Sequence, residues 1–394
     1  MLLTASIHKS LQESTPVAPL RFIATPGSEE MGTAINKLLV EKRRARVLAN
    51  PNSHQAQTPG YLRDDFRVDY VVNRFGSGEG KGQIKESIRG TDLFIYCDPV
   101  NNSGTYTMNQ VANRTSPDDR FADLKRVIAA SVGMTRRINV IMPFLYEGRQ
   151  HRRSRPESLD CALMLQELAN MGVENFITFD AHDPRVSNAI PGLSFDNFFT
   201  SYQFIEKILE VVPDIIIDKE HLMTISPDEG GMSRAVYYAT MMGVNMGMFY
   251  KRRDYSTVVD GRNPIVAHEF LGNDVAGKDV LIIDDMISSG ESMCDVAKEL
   301  KKRNAKRIFI CCTFGLFNKG FKVFDQYYQD GVFDQIFTTN LTWTPPEAFT
   351  KPYYSQVDLT EYITLIIDTI NHDCSVDEII NTTQKIQDLL DAKK

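Results

Sequence analysis

No run in the 394 residues is long and apolar enough to cross a bilayer; the richest, such as Ile138 to Leu145, fall far short of the roughly 20 residues required. The amino terminus, MLLTASIHKSLQEST, lacks the continuous apolar core of a signal peptide, so a cytoplasmic location is expected. Cysteine is scarce. The six cysteines include no CxxC pair, which argues against a disulfide framework or a zinc knuckle and for small buried hydrophobes in a reducing compartment. Positive charge is not in excess either: 44 basic against 51 acidic residues leave a net charge of -7, unsuited to a general binder of nucleic acid or anionic membrane. Any phosphate must therefore be bound locally. Low-complexity tracts and solenoid repeats are also missing. What remains, 42% hydrophobic and 24% charged, is the composition of a globular protein of two or three domains.

Short apolar runs alternate with amphipathic segments along most of the chain, which predicts βαβ units and two doubly wound, mostly parallel α/β sheets. The strand candidates are DLFIYC, RINVIMPF, NFITFDA, HLMTIS, VLIID and RIFICCTF, with helices such as SLDCALMLQELANMG and SMCDVAKELKKRN between them. Two polar, turn-rich stretches, about 45–66 and 101–120, interrupt the rhythm and are expected to be mobile surface insertions. A further break after Asp180 leads into a second strand-helix series. The expected organisation is an N-terminal domain over 1–204, a second domain over 205–350 and a helical tail over 351–394.

The most specific local signal is Val280–Ser292, VLIIDDMISSGES. Four apolar residues run into Asp284 and Asp285, then into a loop of Ser288, Ser289 and Gly290, with Ser292 at the start of a helical pattern. Backbone N–H groups, serine hydroxyls and a helix N-terminus can converge on one anion there, and the two carboxylates can accept hydrogen bonds from a sugar diol.

This run resembles the phosphoribosyl-diphosphate motif of type I phosphoribosyltransferases. The segments RFGSGEGKGQIKESIRGTDLFIY, PFLYEGRQHRRSRP, ITFDAHD, ISPDEGGMSRA and FYKRRD narrow the likeness, in their order and spacing, to the ribose-phosphate pyrophosphokinases, or PRPP synthetases. The resemblance covers roughly residues 20–380 outside the two insertions. It implies transfer of the β,γ-diphosphoryl group of ATP to the anomeric hydroxyl of ribose 5-phosphate, with Mg²⁺, in a homo-oligomer between a dimer and a hexamer. Nucleic acid and membrane are not implied partners.

By the same resemblance, Lys251 and Arg253 match the family's catalytic lysine and arginine, on a lid over residues 251–264. His182 matches its active-site histidine at the Mg-ATP site and Asp228 a metal-site aspartate. Arg149, Gln150, Arg152 and Arg153 match the ATP loop, and Phe75 and Glu79 the adenine contacts that a neighbouring subunit supplies. Asp284, Asp285, Ser288, Ser289, Gly290 and Ser292 match the ribose 5-phosphate loop. Four positions depart from the pattern: Ser77 and Ser288 stand where aspartates are usual, His151 replaces an acid, and Glu291 replaces a glycine beside the phosphate. Those departures keep two other readings open, a non-catalytic regulatory homologue and a phosphoribosyltransferase that consumes PRPP.

Overall fold

A computed structural model describes residues 5–253 and 265–393 and divides the chain into two units. In chain order the strands of the first unit are β1 (Leu20–Ala24), β2 (Tyr70–Arg74), β3 (Gly80–Ile84), β4 (Asp92–Tyr96), β5 (Thr105–Met108), β6 (Val111–Arg114), β7 (Arg137–Ile141), β8 (Asn175–Phe179) and β9 (Ser194–Phe198). Those of the second are β10 (Leu222–Ser226), β11 (Asn245–Arg253), β12 (Ile265–Leu271), β13 (Asp279–Ile287), β14 (Arg307–Gly315), β15 (Gln335–Thr339) and β16 (Tyr354–Val357). All six expected strands are present, and the fold is the expected parallel α/β type.

In the first unit, β1-β4-β7-β8-β9 form a wholly parallel sheet among the described residues. Its helices follow from local sequence. Pro117–Ser131 begins where the Ser116 hydroxyl accepts from the Asp119 N–H and Asp119 answers on the Ser116 N–H, a capping box with proline in the first turn. Its Leu124, Val127 and Ile128 then fall on one face and pack into the core.

The second unit has the sheet order β12-β11-β10-β13-β14-β15-β16, parallel except for the β11–β12 pair. The chain builds outward from β10 to β11, then returns to lay β13 on the other side of β10. The order therefore reverses between β10 and β13, and the carboxyl ends of strands at such a reversal form the crevice where doubly wound sheets bind ligands.

The first unit comprises residues 1–199, 341–343 and 358–381, and the second 200–340, 344–357 and 382–394, so residues 351–394 are shared between them. Tyr354–Val357 completes the second sheet, helix Thr360–Asn371 belongs to the first unit and helix Thr383–Asp391 to the second. Helix Thr360–Asn371 is buried over nearly its whole surface. Asp368 lies between two arginines of helix Glu29–Ala49, with Arg43 Nη2 at 2.8 Å and Arg46 Nη2 at 2.7 Å. Burial opposes ionisation of Asp368, but Arg43 and Arg46 outweigh it and hold the carboxyl well below the usual range.

The stretch expected as a surface insertion over about 45–66 is partly internal. Tyr61 is 1% exposed, its ring lies 4.5 Å from the Arg43 guanidinium, and Gln55 Nε2 donates to Ser14 O at 3.0 Å. The second insertion carries the β5–β6 hairpin, which lies largely at the surface. All six cysteines are free thiols, five of them buried.

Removing one partner of a buried ion pair leaves an uncompensated charge. Asp368→Ala is therefore expected to destabilise the first unit by about 3–5 kcal/mol in urea unfolding, because two buried guanidiniums lose their counter-ion. A loss below about 1 kcal/mol, the scale of an exposed pair, would contradict this reading.

Candidate active site

The site residues of the second unit gather on three adjacent strands. Met248 on β11 pairs with Ser226 on β10, and Ile225 with Ile282 on β13. Lys251 on β11 and Asp284 on β13 thus lie toward the carboxyl ends of their strands, and Asp228 follows that end of β10. Asp285 is 3% exposed and receives Arg234 Nη2 at 3.8 Å, while the Asp285 N–H donates to Asp284 Oδ1 at 2.9 Å. Burial pushes the Asp284 carboxyl well above its ordinary range and Asp285 adds to this, against the pull of Arg234; Asp228 also raises it. Asp285 thus has a cation beside it, while Asp284 feels two other carboxylates as well as Arg234.

Two glycines make the loops possible. A Cβ on Gly231 would lie 2.9 Å from Ser226 Oγ, 3.2 Å from Ile283 O and 3.4 Å from Asp284 Oδ1, so only glycine lets this turn close over β13. Gly290 has φ +82° and caps helix Glu291–Lys302; a Cβ there would lie 2.0 Å from the buried Phe324 ring. The loop between carries Ser288 and Ser289, half-buried, and Ser292 follows, exposed in the first helical turn.

Lys251 and Arg253 lie on β11, where the backbone pairs Lys251 with His268 and Arg253 with Ile265 on β12. The lid expected over 251–264 lies outside the described residues from 254 onward.

The first unit assembles a second group. Arg149, Gln150, Arg152 and Arg153 occupy the loop after β7, in which Arg149, Arg152 and Arg153 are exposed and Gln150 Nε2 donates to Ser158 O at 2.9 Å. His182 follows β8, after Asp180 takes a left-handed turn at φ 41° and donates its N–H to Phe198 O on β9. The His151 ring lies 5.4 Å from the His182 ring, which brings the basic loop beside the end of β8. Burial pulls His151 below the ordinary imidazole value against the effect of Asp183, and His182 and Arg152 lower it further, so this position is less cationic than its residue type implies.

Phe75 and Glu79 sit at the tip of the β2–β3 hairpin, closed by Phe75 N–H to Glu79 O at 2.8 Å. Phe75 is 55% exposed, and the Ser77 hydroxyl donates to Glu79 Oε2 at 2.8 Å. The β5–β6 insertion touches this tip, since Asn109 N–H donates to Gly76 O at 3.1 Å.

The model for the N-terminal domain of ribose phosphate pyrophosphokinase matches residues 65–172, and that for the phosphoribosyl transferase domain matches 201–344. A ribose-phosphate pyrophosphokinase from Ralstonia nicotianae is 31% identical over 257 residues, covering 64% of this chain and 71% of that protein. The chain belongs to the ribose-phosphate pyrophosphokinase family. A second family member, from Vibrio cholerae, is 28% identical over 319 residues, 79% of this chain and 91% of that protein. A phosphoribosylpyrophosphate synthetase structure from Mycobacterium smegmatis superposes with a TM-score of 0.69 over 90% of this chain and 99% of that one, at 18% identity, a likeness of fold.

For a pyrophosphokinase, the loop departures have partners here that no motif pointed to. Ser288 Oγ accepts from Asn318 Nδ2 at 3.1 Å, and Glu291 Oε1 pairs with Lys319 Nζ at 3.0 Å. Sequence reasoning also missed Arg234, 3.8 Å from Asp285; its place in the first turn of helix Met232–Met242, within the run ISPDEGGMSRA, was the available signal.

Gly290→Ala is expected to lower stability by about 2–4 kcal/mol, combining left-handed strain with overpacking against Phe324. Gly331→Ala, also at positive φ but with open space around its Cβ, gives the strain alone. Equal melting temperatures for the two variants would contradict the close fit at Gly290.

Proposed function

We propose that the protein transfers the β,γ-diphosphoryl group of ATP to the 1-hydroxyl of ribose 5-phosphate, giving PRPP and AMP. The observation that carries this reading is the juxtaposition at the β10–β13 reversal. Asp284 and Asp285, under the influence of Asp228, lie on the strand that runs into a loop and helix start of the kind that takes a phosphate, in a chain whose family makes PRPP.

In this reading Asp284 and Asp285 accept hydrogen bonds from the ribose hydroxyls, while the backbone of Ser288–Ser292 and its hydroxyls cradle the 5-phosphate. Arg149, Gln150, Arg152 and Arg153 hold the ATP phosphates, and Phe75 and Glu79 meet the adenine. The exposed Phe75 suits an adenine site completed by a neighbouring copy of the chain, hence a homo-oligomer. The sugar oxygen attacks the β-phosphorus, the bond from that phosphorus to the α–β bridging oxygen breaks, and AMP leaves. Such a displacement needs alignment and charge stabilisation more than covalent help, which is the role assigned to Lys251, Arg253 and His182.

The donor set fits magnesium. Asp228 commits Oδ1 to the Gly230 N–H at 2.9 Å and keeps a second oxygen, and the described residues contain no cage of three or more His, Cys, Asp or Glu. Mg²⁺ is commonly bound by one or two carboxylates with substrate phosphates and water completing the shell. When bound, it would supply neutralisation of the polyphosphate charge; Asp228 is the residue of the second unit that would hold it, and His182 is the residue of the first assigned to Mg-ATP.

Among the described residues no helix is long and apolar enough to cross a membrane, and the free cysteines suit a reducing compartment, in keeping with a cytoplasmic enzyme. A PRPP-consuming transferase would leave the segment over 65–172 without a role.

Phosphorus NMR of the protein with ATP, Mg²⁺ and ribose 5-phosphate should show PRPP and AMP accumulating together; neither product at micromolar enzyme would defeat the proposal. Lys251→Ala should reduce turnover by at least about a hundredfold, as expected for loss of a group that stabilises transition-state charge. Unchanged turnover would remove Lys251 from the catalytic assignment.

A further inference from the structure

Glycine is usual at position 291 in the family pattern, and a carboxylate there adds negative charge beside a phosphate loop. The charge is answered from the segment that follows β14. The Leu316 N–H donates to Ile287 O at 2.9 Å, Asn318 N–H to Ser288 O at 2.9 Å and Asn318 Nδ2 to Ser288 Oγ at 3.1 Å, so this segment is laced to the sugar-phosphate loop along its length. Beneath both, Phe317, Phe321 and Phe324 pack on one another, and Phe324 is the ring that Gly290 must clear. The backbone that carries Lys319 is therefore held in register with the loop. Its ammonium reaches Glu291 Oε1 at 3.0 Å, with the two side chains 60% and 55% exposed.

Glu291 opens helix Glu291–Lys302, where a negative group is favoured by the helix dipole. Without a substrate it occupies an electrostatic position like that of the incoming anion, and Lys319 neutralises it. An exposed ion pair of this kind is held weakly, so a dianion can claim the lysine at small cost. The ammonium has three donors and can bridge carboxylate and phosphate together.

We propose that Lys319 is a recognition residue for the phosphate of the sugar substrate, stationed at the mouth of the loop by Glu291. The inference rests on the assignment of Ser288–Ser292 as the sugar-phosphate loop. It makes residues 316–320 part of that site and converts the loop departures at 288 and 291 from losses into one exchanged arrangement.

The test is calorimetric titration of the full chain with ribose 5-phosphate, alongside KM values for the sugar phosphate and for ATP. Lys319→Gln should weaken ribose 5-phosphate binding at least tenfold and raise its KM to match, with KM for ATP unmoved. Lys319→Arg should stay within threefold of the parent. Adding Glu291→Gln to Lys319→Gln should recover most of the loss, since the remaining repulsion is then gone. Equal affinities in the parent and Lys319→Gln would overturn the assignment whatever the turnover, as would a Lys319→Gln defect that Glu291→Gln leaves untouched. A parent protein that forms no PRPP would defeat the functional reading and leave the binding comparison intact; a parent that binds no ribose 5-phosphate would defeat both.

Discussion

Two carboxylates adjacent in sequence and withdrawn from water cannot both ionise at low cost unless cations are brought to them. Asp284 and Asp285 meet that condition only in part. Arg234 lies 3.8 Å from Asp285, while burial first and then Asp285 push Asp284 toward its protonated form, with Arg234 opposing them and Asp228 adding to them. The second unit leaves this imbalance at the strand-order reversal, beneath a turn that only Gly231 lets close. A buried pair whose ionisation is opposed in this way gains most from a metal ion or from hydroxyl donors. In the proposed reaction, the sugar and Mg²⁺ supply those groups.

The basic residues proposed to handle phosphate lie elsewhere in the chain. The loop after β7 exposes Arg149, Arg152 and Arg153, and Lys251 and Arg253 stand on β11. A chain with a net charge of -7 can thus take polyphosphate without binding polyanions generally. In the proposed reaction the carboxylates take the sugar hydroxyls and metal, and the cations take the transferring group.

The parallel sheets were legible because their strands are buried on both faces and read as unbroken apolar runs; β10 and β14 are examples. Strands β2, β3, β5, β6 and β9 were not, since they are short, partly exposed and interrupted by polar residues. The apolar character of helix Thr360–Asn371 showed in its sequence, but its partners did not: Arg43 and Asp368 are 325 residues apart, and no local pattern links them. Tyr61 was read as part of a surface insertion for the same reason. At the candidate site, Asp284, Asp285 and Gly290 announce themselves through a motif with a physical purpose. Arg234 stands inside the run ISPDEGGMSRA but meets Asp285 only once β10 and β13 pair, and Asn318 and Lys319 reach the loop only once β13 and β14 pair, so the contacts themselves could not be read locally.

The central claim is that a diphosphoryl group moves as one unit onto a sugar held by this loop. Incubation with ATP labelled at the β-phosphorus, together with ribose 5-phosphate and Mg²⁺, tests it most directly. The account predicts that the label appears on the 1-oxygen of the sugar phosphate, with unlabelled AMP released in equal amount. Label retained in ADP, as in transfer of the γ-phosphate alone, or recovered as inorganic diphosphate without PRPP, would contradict it.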